Sequence, residues 1–371
     1  MNCEIEFLPV GEGSKGGDAI VVRYGEVGSY ELMIIDGGNV ESGKELVSHV
    51  QKHFGYNAII SHVVLTHCDT DHASGLREVL AGLKVRNLWM HVPWLAAAGA
   101  RQYFADKDWT DASLEKALRE EYDLIDEIFE IALEKRVNIF QPFAGQKIGP
   151  FTVLSPHQEV YEILVPQFDR TPEPDQEALE AKGLWIGKPP GLFVKLMDMV
   201  VAKAQKWVPE TWEVERLKDG GVTSATNESS VVLYGDFGVN RRVLLTGDAG
   251  VWALQLSVYY AGQLKLPMQD FMFVQIPHHG SRSNVGPSIL NAILGPVRPK
   301  GSLPKFSAFV SAPKEDDTHP RKMVLNAFIR RGADVCATQG IKTVFRGGFP
   351  FRPGYDPVSG MLFASQVEDY D

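Results

Sequence analysis

Apolar residues in the first ninety positions gather in short β-branched runs rather than in helical stripes. Ile5, Phe7 and Leu8 come first. Ala19-Ile20-Val21-Val22-Arg23-Tyr24 follows the Gly-rich stretch 11–18, and Glu31-Leu32-Met33-Ile34-Ile35 runs into Asp36-Gly37-Gly38. Runs of this length bounded by glycine predict strand, turn, strand, turn, strand. A helix is expected over about 44–54, a strand over 59–65, a helix over 76–83 and a strand over 85–92. That alternation favours a layered α/β architecture.

The period then changes. Leu114, Leu118, Ile125, Ile128, Phe129 and Ala132 recur at helical spacing across 109–136, with charged residues between them. This predicts an amphipathic, core-facing helix opened by Asp111 with Glu115. Strand character returns at 151–156. Residues 157–225 are weakly patterned, holding Pro172, Pro174, Pro189 and Pro190 and a predicted helix near 192–207. We read this region as an insertion or lid. Beyond it, 230–234 and 242–246 predict a hairpin, and the second run leads into Gly247-Asp248. The run 271–276 leads into Pro277-His278-His279-Gly280-Ser281, and 307–311 leads towards Thr318-His319-Pro320. Strands that end in Asp, His-His and His are how an α/β scaffold collects a site from distant sequence.

The densest chemistry follows the run 59–65. Thr66-His67-Cys68-Asp69-Thr70-Asp71-His72 places two imidazoles and two carboxylates within six residues. Lone pairs this crowded repel unless a cation lies between them, and His with Asp suits a divalent ion such as zinc or manganese. A solvated Asp- and His-rich turn is the alternative. The 371 residues are 44% hydrophobic and 23% charged, ordinary globular composition. There is no signal-like start and no apolar run of ~18 residues. Three widely spaced cysteines, Cys3, Cys68 and Cys336, suggest no disulfide framework. A soluble, cytoplasmic protein without membrane contact is expected. The formal charge of -10 argues against broad coating of nucleic acid. It leaves room for a metal-dependent nuclease, because bound ions add positive charge locally.

The order Asp36-Gly37-Gly38, Thr66-His67-x-Asp69-x-Asp71-His72, Thr246-Gly247-Asp248 and His278-His279-Gly280 resembles the metallo-β-lactamase superfamily. Within it, the chain is most similar to the hydrolase domain of ComEC-type competence proteins. Phe7-Leu8-Pro9-Val10-Gly11-Glu12-Gly13, Gly17-Asp18-Ala19, Asn227-x-x-Ser230, the Pro277–Ser281 turn and His319-Pro320 extend the likeness over residues 1–92, 143–156 and 227–345. The resemblance implies an α/β fold, the αββα metallo-β-lactamase sandwich, as a single domain over 1–371. A helical insertion would occupy 95–142 and an insertion or lid 157–226. His67 and Asp69 would hold a first metal and Asp71 and His72 a second, with Asp248 bridging. One of His278 and His279, with His278 preferred, would complete the second site. Asp36 would support the loop from behind. Two departures from many relatives weaken the first position: Asp69 stands where they have His, and Asn227 stands near where they supply another His.

Such a centre, with one or two zinc or manganese ions, implies a hydrolase that activates water. The branch resemblance points to a phosphodiesterase or nuclease acting on nucleic acid or another phosphoester. Asp71 would orient the water and take its proton, and His319 would protonate the leaving oxygen or bind phosphate. Asn227, Ser230, Ser281, Arg282 and Ser283 are expected to touch substrate. Arg241-Arg242, Arg298, Lys300 and Arg330-Arg331 are either a phosphate track or scattered surface charge. Two other readings stand beside this one. One is a hydrolase of a small-molecule phosphoester or other ester. The other is a non-catalytic interaction module, binding protein partners through its insertions. The intact Asp69, Asp71, His72, Asp248, His278 set weighs against the module, because unpaired buried carboxylates are costly.

Overall fold

The computed structural model describes residues 1–11, 16–186, 206–355 and 360–370. The strands are β1 (Asn2–Phe7), β2 (Ala19–Glu26), β3 (Ser29–Gly37), β4 (Ile59–Val64), β5 (Lys84–Trp89), β6 (Asn138–Phe140), β7 (Lys147–Ile148), β8 (Phe151–Ser155), β9 (Trp207–Pro209), β10 (Val232–Asp236), β11 (Arg242–Leu245), β12 (Phe271–Gln275), β13 (Phe306–Val310), β14 (Ala333–Ala337), β15 (Thr343–Gly347) and β16 (Gln366–Glu368). One seven-stranded sheet has the order β15-β1-β2-β3-β4-β5-β6, and a second has the order β14-β13-β12-β11-β10-β8-β7. Each is mixed in the same way. From β15 to β3, and from β7 to β11, neighbours are antiparallel. From β3 to β6, and from β11 to β14, they are parallel. The two halves of the chain therefore repeat one topology, which no internal sequence repeat announces.

Period-two alternation makes the sandwich. Cys3, Ile5 and Phe7 of β1 join Phe151, Phe273 and Phe309 in a core between the sheets. Glu4 and Glu6 alternate onto the other face, where Glu6 Oε2 meets His49 Nε2 at 2.7 Å. The helices Val40–Phe54 and Leu76–Gly82 cover that face of the first sheet. Val251–Gln263, Pro287–Leu294 and Lys322–Arg330 cover the outer face of the second. This is the αββα sandwich expected from the sequence. Among the described residues no helix is long and apolar enough to cross a membrane.

Some elements differ from expectation. The single helix predicted over 109–136 is two, Asp111–Glu121 and Asp123–Glu134. The chain leaves helical geometry at Tyr122 (φ -105°, ψ 48°), whose buried ring meets Phe168 at 6.3 Å. Thr110, not Asp111, is the cap, exchanging hydrogen bonds with Ser113. Strand β6 lies inside the segment 95–142 and forms the edge of the first sheet. Of the helix predicted near 192–207, residues 192–205 lie outside the described residues, and Trp207 begins β9.

Two stability measurements check this packing. Phe273 is fully buried between Phe7, Phe309 and Phe345. Phe273→Ala should cost ~3–5 kcal/mol in denaturant unfolding. His91, just after β5, is buried with its ring stacked on Tyr161 at 4.5 Å. Burial pushes its pKa down to about 3. A histidine depressed in the folded state contributes fully above its unfolded pKa, and that contribution is lost as pH falls towards the folded value. Between pH ~6.5 and ~5 the wild type should lose about 1–2 kcal/mol more than His91→Phe. Parallel stability curves for the two proteins would contradict this.

Candidate metal centre

The site forms at one edge of the sandwich, where parallel strands of both sheets end. Asp36, at the end of β3, adopts a left-handed backbone (φ 56°) that turns its carboxylate under the loop after β4. Its Oδ1 accepts from Thr66 N at 2.7 Å. Its Oδ2 accepts from Thr66 Oγ1 at 2.7 Å and from His72 Nδ1 at 2.8 Å. With Nδ1–H committed to Asp36, His72 turns Nε2 into the site, 3.4 Å from Asp248 Oδ2, where either a proton or a cation can sit. The short helix Thr70–Ala73 sets Asp71 beside His72, with Asp71 at the exposed rim. His67 Nε2 lies 3.5 Å from Asp69 Oδ2 and 4.0 Å from Asp248 Oδ2.

The second sheet supplies the opposing groups. Asp248 follows β11, and its backbone carbonyl accepts from Asn284 Nδ2 at 2.7 Å. His278 and His279 follow β12, both with positive φ. His279 Nδ1 is 3.0 Å from the Ser311 carbonyl. A carbonyl only accepts, so the proton sits on Nδ1 and Nε2 faces the site. That Nε2 is 3.9 Å from both Asp71 Oδ2 and Asp248 Oδ2. His278 Nδ1 contacts Asp248 Oδ2 at 2.6 Å and lies 3.0 Å from Asn227 Nδ2.

These positions define adjoining ligand sets. In His67, His72 and Asp248, and again in Asp71, His72 and His279, one ligand atom from each residue lies within 4.8 Å of the others. Asp18, Asp36 and His72 form a third such group behind them. Among the described residues, buried atoms without a hydrogen-bond partner include His67 Nε2, His72 Nε2, His279 Nε2 and Asp248 Oδ1. Three imidazole nitrogens and the Asp248 carboxylate, drawn from two sheets, fit one or two divalent cations. The electrostatics agree. Burial raises the Asp248 carboxyl, but His72, His278 and His279 outweigh it and hold its pKa well below the usual range. Burial likewise disfavours charged His72, and Asp248 and Asp36 outweigh it, raising the imidazole well above its usual value. The donor set thus strongly favours a positive charge at its centre.

The predicted residues sort as follows. His67, Asp71, His72, Asp248 and His279 converge, with Asp69 beside His67 and His278 against Asp248 Oδ2. His279, rather than the preferred His278, faces Asp71 and His72. Asn227 adjoins His278 and donates to Thr223 Oγ1 at 2.7 Å. Ser230 is fully buried, and its hydroxyl has no partner among the described residues. Ser281 Oγ accepts from Ser283 N at 3.3 Å. Arg282 turns away from the ligands and donates to the carbonyls of Asp369 and Tyr370 at 2.6 and 3.3 Å. His319 Nδ1 faces Asp316 Oδ2 at 3.1 Å. Arg330 and Arg331 are buried in pairs with Glu210 and Glu215, so they form no surface phosphate track. Cys68 packs in the helix-side core, where burial pushes its thiol up. Sequence reasoning missed Thr66 and Asn284 as supports, and it placed Asp18 in a turn. The Gly17-Asp18 pair was the available signal for Asp18. The Ser311 contact runs through backbone and leaves no sequence signal.

No family model matches the chain, and no curated protein sequence matches it. Solved structures do resemble it. The metallo-β-lactamase fold protein YhfI from Bacillus subtilis is 9% identical, with 94% of this chain and 100% of that one covered and a TM-score of 0.40. A diphosphatase from the PhnP family is 11% identical, with 93% and 98% covered and a TM-score of 0.38. A β-lactamase domain protein from Burkholderia ambifaria is 17% identical, with 75% and 68% covered and a TM-score of 0.33. These likenesses concern the fold, and the layered topology above stands on its own strands.

Asp36→Asn tests the support behind the loop. An amide cannot accept all three hydrogen bonds, so metal affinity should fall ~10–100-fold in a chelator-competition titration. Unchanged affinity would show that Asp36 does not set the ligand geometry.

Proposed function

We propose that this protein is a metal-dependent hydrolase of phosphodiesters, with nucleic acid the favoured substrate and zinc or manganese the cofactor. The observation that carries the reading is the pair of adjoining ligand sets sharing His72, with unpartnered lone pairs facing inward. The substrate class rests on the motif order that resembles the ComEC-type hydrolase domain. Buried, unpaired Cys3, Cys68 and Cys336 suit a reducing compartment.

Divalent ions held here would lower the pKa of a bound water and neutralise charge growing on phosphoryl oxygens. The residues have separate tasks. His67, Asp71, His72, Asp248 and His279 would hold the ions. Asp71, at the rim, orients the attacking water and receives its proton. His319 is pushed down to about 4 by burial, against the opposing pull of Asp316. With Nδ1–H given to Asp316, its Nε2 offers a lone pair at neutral pH. An approaching phosphoryl anion favours uptake of a solvent proton at Nε2, and the imidazolium so formed returns that proton to the leaving oxygen. Ser281, Ser283 and Asn227 supply polar contacts beside the ligand turn.

The test is incubation of linear DNA, RNA and bis-p-nitrophenyl phosphate with zinc or manganese. We expect cleavage of nucleic acid and of the small diester, and a loss of ~10²–10⁴-fold for Asp71→Ala. Turnover of the small diester with DNA and RNA intact would select the small-phosphoester reading. No turnover of any substrate by metal-loaded protein would remove the hydrolase.

A further inference from the structure

The two ligand loops come from different sheets, so something must fix the distance between them. The segment Gly16-Gly17-Asp18, leading into β2, lies between them. A Cβ on Gly16 would stand 2.7 Å from His279 Nε2. A Cβ on Gly17 (φ 133°) would stand 2.0 Å from the Asp71 carbonyl oxygen. Only glycine allows backbone this close to both ligands. Asp18, next in line, is buried at 2% exposure and belongs to the group with Asp36 and His72.

One side chain ties this segment to the opposite sheet. Gln275, the last residue of β12, is also 2% exposed. Its Nε2 donates to Asp18 Oδ2 at 2.7 Å. Its Oε1 accepts from Thr246 N at 2.9 Å and from Gly247 N at 3.2 Å. Those two amides belong to the turn that delivers Asp248. Gly247 O in turn accepts from His278 N at 3.3 Å, and Gly247 packs on Thr66, whose Cβ would lie 2.9 Å from an added Cβ. A single buried amide therefore satisfies donors of the Asp248 turn at one end and a carboxylate of the first sheet at the other. Both of its ends lie one step behind ligands.

We propose that Gln275 is a positioning residue for the metal centre: by clamping Asp18 to the Thr246–Gly247 turn, it fixes the separation between Asp71 and His72 on one sheet and Asp248 and His279 on the other. The proposal rests on the metal-centre reading above. Other residue types do this work poorly. Glu lacks the donor for Asp18, and Leu or Met leaves Asp18 and two amides buried without partners. Gln275 touches no substrate, so its effect passes through ligand geometry alone.

The experiment measures zinc and manganese affinity of the purified metal-free protein by chelator competition. It uses wild type, Gln275→Met, Asp18→Ala and the double variant, with thermal melting of each metal-free protein beside it. Gln275→Met keeps the side-chain volume and should weaken binding ~10–100-fold, as loss of an outer support does. Asp18→Ala should weaken it too, and adding it to Gln275→Met should cost little more, because both break one link. Unchanged affinity in Gln275→Met, with only a lower melting temperature, would overturn the proposal and leave Gln275 a structural cross-link. Losses that multiply in the double variant would also overturn it. Should Gln275→Met fail to fold, Gln275→Asn, which keeps the amide but shortens its reach, carries the same comparison. A wild type that binds neither metal would instead sink the metal-centre reading itself, and the two failures are therefore distinct.

Discussion

Three hydrogen bonds to one buried carboxylate set the orientation on which the rest of the centre depends. Asp36 accepts from the backbone and hydroxyl of Thr66 and from His72 Nδ1. Without them the ring of His72 could turn, and the loop 66–72 would lose its anchor to β3. With them, His72 Nε2 points at Asp248 and becomes common to both ligand sets. The second sheet uses the same logic, with Ser311 O holding His279 by its far nitrogen. Each imidazole is fixed from behind so that a lone pair faces inward. Inward lone pairs and carboxylates repel, and a cation between them would relieve the cost.

The repeated topology explains why the candidate ligands meet. In each half, antiparallel strands give way to parallel ones, and polar loops follow the ends of the parallel strands. Asp36 closes β3, and the loop 66–72 follows β4. Asp248, His278-His279 and His319 come after β11, β12 and β13. Face-to-face packing through Phe7, Phe273 and Phe309 brings these ends to one edge. The core between the sheets and the site at their rim are therefore one construction.

Much of this was legible in the sequence, because β-branched runs ending in Asp or His carry both the strand period and the ligand type. What escaped was set by long-range contacts. The helix breaks at Tyr122, whose buried ring meets Phe168 in a contact that helical periodicity does not register. His278 and His279 are alike in sequence, and only the contact of His279 Nδ1 with the distant Ser311 carbonyl marks the ring that faces Asp71. Arg330 and Arg331 read as surface charge, yet Glu210 and Glu215, over a hundred positions away, draw them inside. Arg282 looked like a substrate group beside the ligand turn, while the chain end near Tyr370 takes its donors.

The central claim is that the seam between the sheets holds divalent metal. Crystals grown with zinc or manganese, with anomalous scattering recorded at the metal's absorption edge, test it most directly. The account predicts strong anomalous density between His67, His72 and Asp248, or between Asp71, His72 and His279, or at both. Crystals at saturating metal with no anomalous density at this seam would contradict it.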